Sequence, residues 1–272
     1  MLNETPLVSV VIPAHNEEKT LPRLLDSLQA QTYPYLQILI TDDGSKDQTL
    51  TVARRYAEAD PRISVISQPA SGVSAARNRA LPLCRGKYLR FADADDSLPP
   101  EAIALQVARA EKDSSDLTIA GYTEYLGEHG RFKNLVDLDQ TLPARENLRL
   151  LNPRSNSYFY GVLWNKLFLR EKAEGLRFDE ALTWGEDFSF VMAYLKNCER
   201  ISYMRDPVYD YRRSANTATI RQVLDSILHP MKNIRIKIRL YHSLKELYVA
   251  RGEYPAFRKT LWLYLFRFGL DL

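Results

Sequence analysis

"LVSVVIPAHNEE", residues 7–18, decides how the rest of the chain is read. Its first six residues are aliphatic apart from Ser9, and such a run reads as a short strand buried on both faces of a parallel sheet. Pro13 stops it, because proline has no N–H to give to a ladder. Leu21, Leu24, Leu25 and Leu28 then recur at helical spacing, with Pro22 placed in the first turn, where it is tolerated. The opening is therefore a strand, a polar loop and a helix.

The same unit recurs. "LQILIT" (36–41) is a second strand, ended by the turn signal Asp42-Asp43-Gly44-Ser45 and followed by a helix with Leu50, Ala53, Tyr56 and Ala57 on one side. "RISVIS" (62–67) is a third strand, before a helix over about 72–83. "KYLRFA" (87–92) leads into the acidic turn Asp93-Ala94-Asp95-Asp96, a helix from about Pro99 to Glu111, and the strand "DLTIA" (116–120). Alternation at this spacing predicts βαβ units, hence an α/β fold with a Rossmann-like, mostly parallel sheet flanked by helices. Residues 121–180 read as mixed loops and short strands with a helix near 144–151. Beyond Gly185, Phe188, Val191, Met192 and Leu195 share a helical face. The C-terminal part, about 220–272, reads as amphipathic helix with Ile227, Met231, Ile234, Ile238 and Tyr241 near one stripe.

The 45% hydrophobic and 26% charged fractions of this 272-residue chain are those of a globular protein with a sizeable core. Two cysteines cannot form a disulfide framework, and no Cys/His group has zinc-site spacing, which predicts a reducing, cytoplasmic setting. Neither a secretory signal nor a membrane-spanning run is expected. The net charge of +3 is too small to predict a nucleic-acid partner. It is unevenly spread: from residue 230 onward nine Lys/Arg face three acids.

Ligands of open α/β sheets bind beyond the carboxyl ends of the strands. Three polar clusters fall there: Pro13-Ala14-His15-Asn16-Glu17, Asp42-Asp43-Gly44-Ser45 and Asp93-Ala94-Asp95-Asp96. Strand ends need turn formers, and Asp, Asn, Gly and Ser are such residues, so each cluster alone has a bland explanation. Three together, rich in acids, point to a hard divalent cation, Mg²⁺ or Mn²⁺, shared with the phosphates of a nucleotide. Neither a Walker A loop nor G-x-G-x-x-G is present.

In order along the chain, "VSVVIPAHNEEKTLPRLLDSLQAQTYPYLQILITDDGSKDQT", "SGVSAARNRAL", "GKYLRFADADD" and "WGEDFSF" resemble the motifs of family 2 glycosyltransferases with the GT-A fold. The resemblance covers roughly residues 6–215. It implies a GT-A catalytic domain over 1–218, with 219–272 as a basic helical extension. It also implies inverting transfer of a sugar from a nucleotide-sugar, usually UDP-linked, to an acceptor hydroxyl on a glycan or lipid-linked glycan. By position, Pro13, Ala14, Glu17 and Asp43 would line the nucleoside pocket, Asp43 accepting from the base. Arg77 would lie near base or phosphates. Asp93 and Asp95, with Ala94 between them, would be the D-x-D pair, Asp95 the direct metal ligand and Asp93 facing ribose or metal-bound water. Asp187 would be the general base; on the acceptor side, Trp184 either stacks on a sugar ring or packs in the core, Glu186 caps its helix or contacts the acceptor, and Lys166 meets phosphate or acceptor.

Plainer readings stand beside these. Thr183-x-x-Glu186 fits a capping box ahead of an apolar helix. His15 shapes its loop, Trp164 belongs to the core, and Asp96-Ser97 starts the next helix. Arg212 or Arg213 either meets a diphosphate or lies on a solvated face. The basic C-terminal helices either cover the catalytic unit with a solvated face or lie on an anionic membrane at the inner face of the plasma membrane. A pathway in bacterial surface polysaccharide synthesis is a family-level expectation. The rival enzyme, a sugar nucleotidyltransferase, calls for a glycine-rich basic loop after the first strand, where this chain has acidic, glycine-free "IPAHNEE". A non-catalytic glycan- or nucleotide-binding module is the other rival.

Overall fold

The computed structural model describes residues 5–151, 157–213 and 230–267. The first half follows the predicted alternation: β1 (Val8–Ala14), α1 (Leu21–Gln29), β2 (Leu36–Asp43), α2 (Thr49–Ala59), β3 (Ile63–Gln68), α3 (Val73–Ala80), β4 (Tyr88–Phe91) and α4 (Ala102–Asp113). β1 lies between β2 and β4, parallel to both, and β3 extends the sheet beyond β2. Val8, Val10, Val11 and Ile12 are wholly buried, as a strand covered on both faces requires. Leu21, Leu24, Leu25 and Leu28 of α1 are buried completely, each contributing about 1.5–3 kcal/mol of transfer free energy.

The second half is more mixed. β5 (Leu117–Leu126) is twice as long as the predicted strand and forms a hairpin with β6 (His129–Lys133). After β7 (Gln140–Pro143), α5 (Ala144–Leu150) and α6 (Ser157–Gly161), the short β8 (Lys166–Leu169) inserts antiparallel between β4 and β5. α7 (Glu186–Leu195) precedes β9 (Arg200–Arg213), which pairs parallel with β5 and antiparallel with β7. The sheet order is β3-β2-β1-β4-β8-β5-β9-β7, with β6 paired to β5. Parallel pairing thus dominates the first half, and antiparallel strands complete the sheet.

Two C-terminal helices, α8 (Pro230–Ala250) and α9 (Tyr254–Arg267), follow. The expected domain boundary near 219 and Ile227 lie outside the described residues. α8 packs on α7 through Ile236, Leu240, Leu244 and Leu247, all buried. The predicted stripe is the opposite face: Met231, Ile234 and Ile238 are 66%, 48% and 43% exposed. Both faces carry apolar residues at helical spacing, so periodicity alone could not choose the buried one.

Candidate active site

The three polar clusters meet at the carboxyl ends of β1, β2 and β4. The first two are laced together. His15 Nδ1 lies 2.7 Å from the Asp43 carbonyl, and the Lys46 N–H donates to Asn16 Oδ1 at 2.8 Å. Asn16 has φ 59°, a left-handed conformation that asparagine tolerates better than most residues. The Glu17 N–H donates to Thr49 Oγ1 at 2.7 Å, and its carboxylate receives the Thr20 hydroxyl. Asp43 accepts from Gln68 Nε2 (2.8 Å), Ser71 N (2.8 Å) and Gly72 N (2.7 Å). The carboxylate thereby orders the loop that starts α3, and with about four acceptor positions it keeps capacity for one further donor. Pro13 is half-buried, and Ala14 and Ala94 are buried.

The acidic turn is fastened from both sides. The Asp93 N–H donates to the Tyr209 hydroxyl at 2.9 Å, Arg23 donates to the Asp95 carbonyl, and Ser97 pairs with Asp210 of β9. Asp96 is 1% exposed; its Oδ1 accepts from the Arg212 N–H at 2.8 Å, and its carboxyl lies against the Tyr209 hydroxyl. Asp96 therefore ties the turn to β9 and does not start α4, which begins at Ala102 after Glu101 with no side-chain cap. Burial pushes all three acids up. Asp95 rises to about 6, with repulsion from Asp93 and Glu17 added. Asp96 rises well above the ordinary range, with Asp95 and Asp93 adding to burial, while Asp93 rises despite Arg77 beside it.

That chemistry fits a divalent cation at Asp93 and Asp95: two crowded carboxylates that resist ionisation gain most from a hard dication. Among the described residues no group of three or more His, Cys, Asp or Glu could hold a metal alone. The donor set is one to be completed by phosphate and water.

Arg77, on α3, joins this turn to a distant segment. Its guanidinium donates to Asp93 Oδ1 (3.2 Å), Glu186 Oε1 (3.2 Å) and Asp187 Oδ1 (2.5 Å), and it lies 5.3 Å from the centre of the Phe178 ring. Burial opposes its charge, but the three carboxylates, Asp187 foremost, hold it protonated. Three carboxylates around one cation remain net negative when all are ionised. Asp187 is the one pushed well above the usual range, chiefly by burial, against Arg77 and helped by Glu186 and Asp93. The expected capping box is not formed: Gly185 caps α7 with φ 74°, no side chain caps it, and Glu186 turns to Arg77 instead.

Lys166 is fully buried, and its Nζ donates to Phe159 O (3.0 Å), Val162 O (2.5 Å) and Asn165 Oδ1 (2.8 Å). Burial pushes its pKa well down, and its hydrogen bonds are spent on the chain's own oxygens rather than on phosphate or acceptor. Trp164 is core, stacked on Tyr209 and Tyr211 at centroid distances of 4.7 and 5.4 Å. Trp184 is half-buried, its indole N–H donating to Asn233 Oδ1 at 2.8 Å. Sequence reasoning missed Arg23, Tyr209 and Asn233, since each acts through a tertiary contact without a local signature.

A mostly parallel sheet with helices around it and acids at its carboxyl edge is a GT-A-type fold. The sequence profile of Glycosyl transferase family 2 matches residues 9–177, and the chain belongs to that family. It is 28% identical over 265 residues to the uncharacterized glycosyltransferase EpsJ of Bacillus subtilis, covering 92% of this chain and 76% of EpsJ. It is 32% identical over 215 residues to EpsH of the same organism, covering 77% of this chain and 61% of EpsH. A chondroitin synthase of Escherichia coli is 41% identical over 114 residues, which is 42% of this chain and 17% of the synthase. In fold, the chain resembles S. aureus TarS in complex with UDP (TM-score 0.68, 22% identity, 87% of this chain and 65% of that one). It also resembles a Pyrobaculum calidifontis mannosyltransferase in complex with GDP-Man and Mn²⁺ (TM-score 0.57, 19% identity, 93% of this chain and 76% of that one).

Proposed function

We propose that the protein transfers a sugar, with inversion, from a UDP-linked donor to a hydroxyl of a growing bacterial glycan. The observation that carries this reading is the Arg77 bridge, whose guanidinium joins Asp187 of α7 to Asp93 of the acidic turn. Asp43 and the loops around Pro13 and Glu17 hold the nucleoside. Asp93 and Asp95 hold Mn²⁺ or Mg²⁺ with the diphosphate, and the cation supplies electrostatic stabilisation of the leaving group. Asp187 takes the acceptor proton as the acceptor oxygen bonds to the anomeric carbon; the bond from that carbon to the phosphate oxygen breaks, and its electron pair leaves with the diphosphate. A carboxyl held above the ordinary range is a stronger base than a free aspartate once ionised, which suits this role.

Hexosyl or N-acetylhexosaminyl donors fit the reading, TarS having been crystallised with UDP-GlcNAc. Among the described residues no helix is long and apolar enough to cross a membrane. The outward face of α8 carries Met231, Ile234 and Ile238 among Lys232, Arg235 and Arg239, a composition suited to the surface of an anionic bilayer at the cytoplasmic face. The test is release of UDP from a panel of UDP-sugars, with and without Mn²⁺, by wild type and Asp187→Asn. The reading requires metal-stimulated release by wild type, and Asp187→Asn that binds UDP normally yet fails to turn over. Turnover retained in Asp187→Asn would remove it as the base.

A further inference from the structure

α8 runs along α7 and reaches past its N-terminus to the turn before the carboxylates. Its buried seam is apolar at Ile236, Leu240 and Leu244, but Asn233, 6% exposed, interrupts it. Asn233 Oδ1 accepts the Trp184 indole N–H at 2.8 Å, three residues before Asp187. A second, independent contact fixes the next residue. Gly185 has φ 74°, and a Cβ there would stand 2.6 Å from Leu240 Cδ1. One turn further along, Ser189 Oγ and Ser243 Oγ lie 3.0 Å apart.

Packing alone accounts for the leucines. It does not account for an amide in the seam, because a buried hydrogen bond contributes only about 0.5–1.5 kcal/mol net and an apolar residue would serve as well. What the amide adds is direction: it holds one indole in one place. The Trp184–Gly185 turn, held by Asn233 and closed over by Leu240, sets where α7 begins and so where Asp187 points.

We propose that α8 belongs to the catalytic apparatus, with Asn233 and Leu240 as positioning residues for Asp187. This rests on the reading of Asp187 as the proton acceptor. Neither residue touches substrate in this scheme; both act through residues 184 and 185. A base displaced by a fraction of an ångström loses rate while the nucleotide pocket across the site is unaltered.

The test uses the full chain and whichever of UDP-N-acetylglucosamine, UDP-glucose, UDP-galactose and GDP-mannose the wild type hydrolyses fastest with Mn²⁺. Asn233→Leu should lower kcat about 10- to 100-fold with KM unchanged. Asn233→Asp, which keeps an acceptor for the indole, should restore most of it. Gly185→Ala, which sets a Cβ against Leu240 at a positive φ, should also lower kcat with KM unchanged. Hydrogen exchange over residues 182–190 should quicken in Asn233→Leu and not in Asn233→Asp, a readout that decides the question if none of the four donors is turned over. Should Asn233→Leu not fold, Gly185→Ala decides. Wild-type kcat or exchange in Asn233→Leu, or wild-type kcat in Gly185→Ala, overturns the proposal while an inactive Asp187→Asn leaves the base reading standing. A fully active Asp187→Asn overturns the base reading, and the positioning role with it.

Discussion

Replacing Asp95 by Asn should make the cation-free protein more stable at neutral pH. Asp95 is half-buried, and its pKa is raised from the ordinary 3.8 to about 6 by burial, then by Asp93 and Glu17. A folded state that raises a carboxyl's pKa binds the proton more tightly than the unfolded chain does. Its stabilising effect is therefore complete below the unfolded pKa and is lost as pH climbs through the folded value. The window runs from pH 3.8 to about 6. A tenfold change in proton affinity is about 1.4 kcal/mol, so ionised Asp95 costs about 3 kcal/mol above that window, trimmed by its partial solvent contact to about 2. The amide has the same shape and no charge. Urea unfolding in EDTA at pH 7.5 should place Asp95→Asn about 2 kcal/mol above wild type, and at pH 4 the gap should shrink to about 0.5 kcal/mol. Mn²⁺ should stabilise wild type at pH 7.5 and leave the variant unmoved. Equal or lower stability of the variant at pH 7.5, or a gain undiminished at pH 4, would refute the view that Asp95 is held at a cost for a cation.

Arg77→Met leaves Asp93, Glu186 and Asp187 without their shared guanidinium and should cost about 3–5 kcal/mol at pH 7.5, checked by urea titration. Tyr209→Phe removes the hydroxyl that receives the Asp93 N–H and should cost about 1–3 kcal/mol while weakening Mn²⁺-dependent UDP binding, read by calorimetry. Ile234→Ser with Ile238→Ser should leave UDP release from donor intact but abolish cosedimentation with vesicles containing anionic lipid; wild type that fails to bind them, or binds neutral vesicles equally, removes the membrane reading.

The first half of the fold was legible because its signals are local. An aliphatic run and leucines at helical spacing describe β1 and α1 without reference to anything distant, although Pro13 does not end β1, which pairs with β2 through Ala14. β8 was not legible, because its four residues are a strand only by virtue of the gap between β4 and β5. The α8 stripe was misread for a related reason: two apolar faces compete on one helix, and only α7 decides between them. The site divides the same way. Adjacent carboxylates point to a cation, but sequence cannot show that Asp96 is the one that ties the turn to β9.

Asp95 and Asp96 are neighbours of the same type, and burial raises both. What separates their roles is Tyr209, whose hydroxyl lies against Asp96 and takes the Asp93 N–H from 116 positions away. The Arg212 N–H completes the anchor on Asp96, whereas Asp95 has acids for its nearest charged company and only Arg23 to offset them. A turn built for structure alone would have no reason to keep that second charge in place. Its place beside Asp96, which the Arg212 N–H ties to β9, in a site where Arg77 is already shared by Asp93, Glu186 and Asp187, is the physical ground for proposing a cation as the ligand of Asp95.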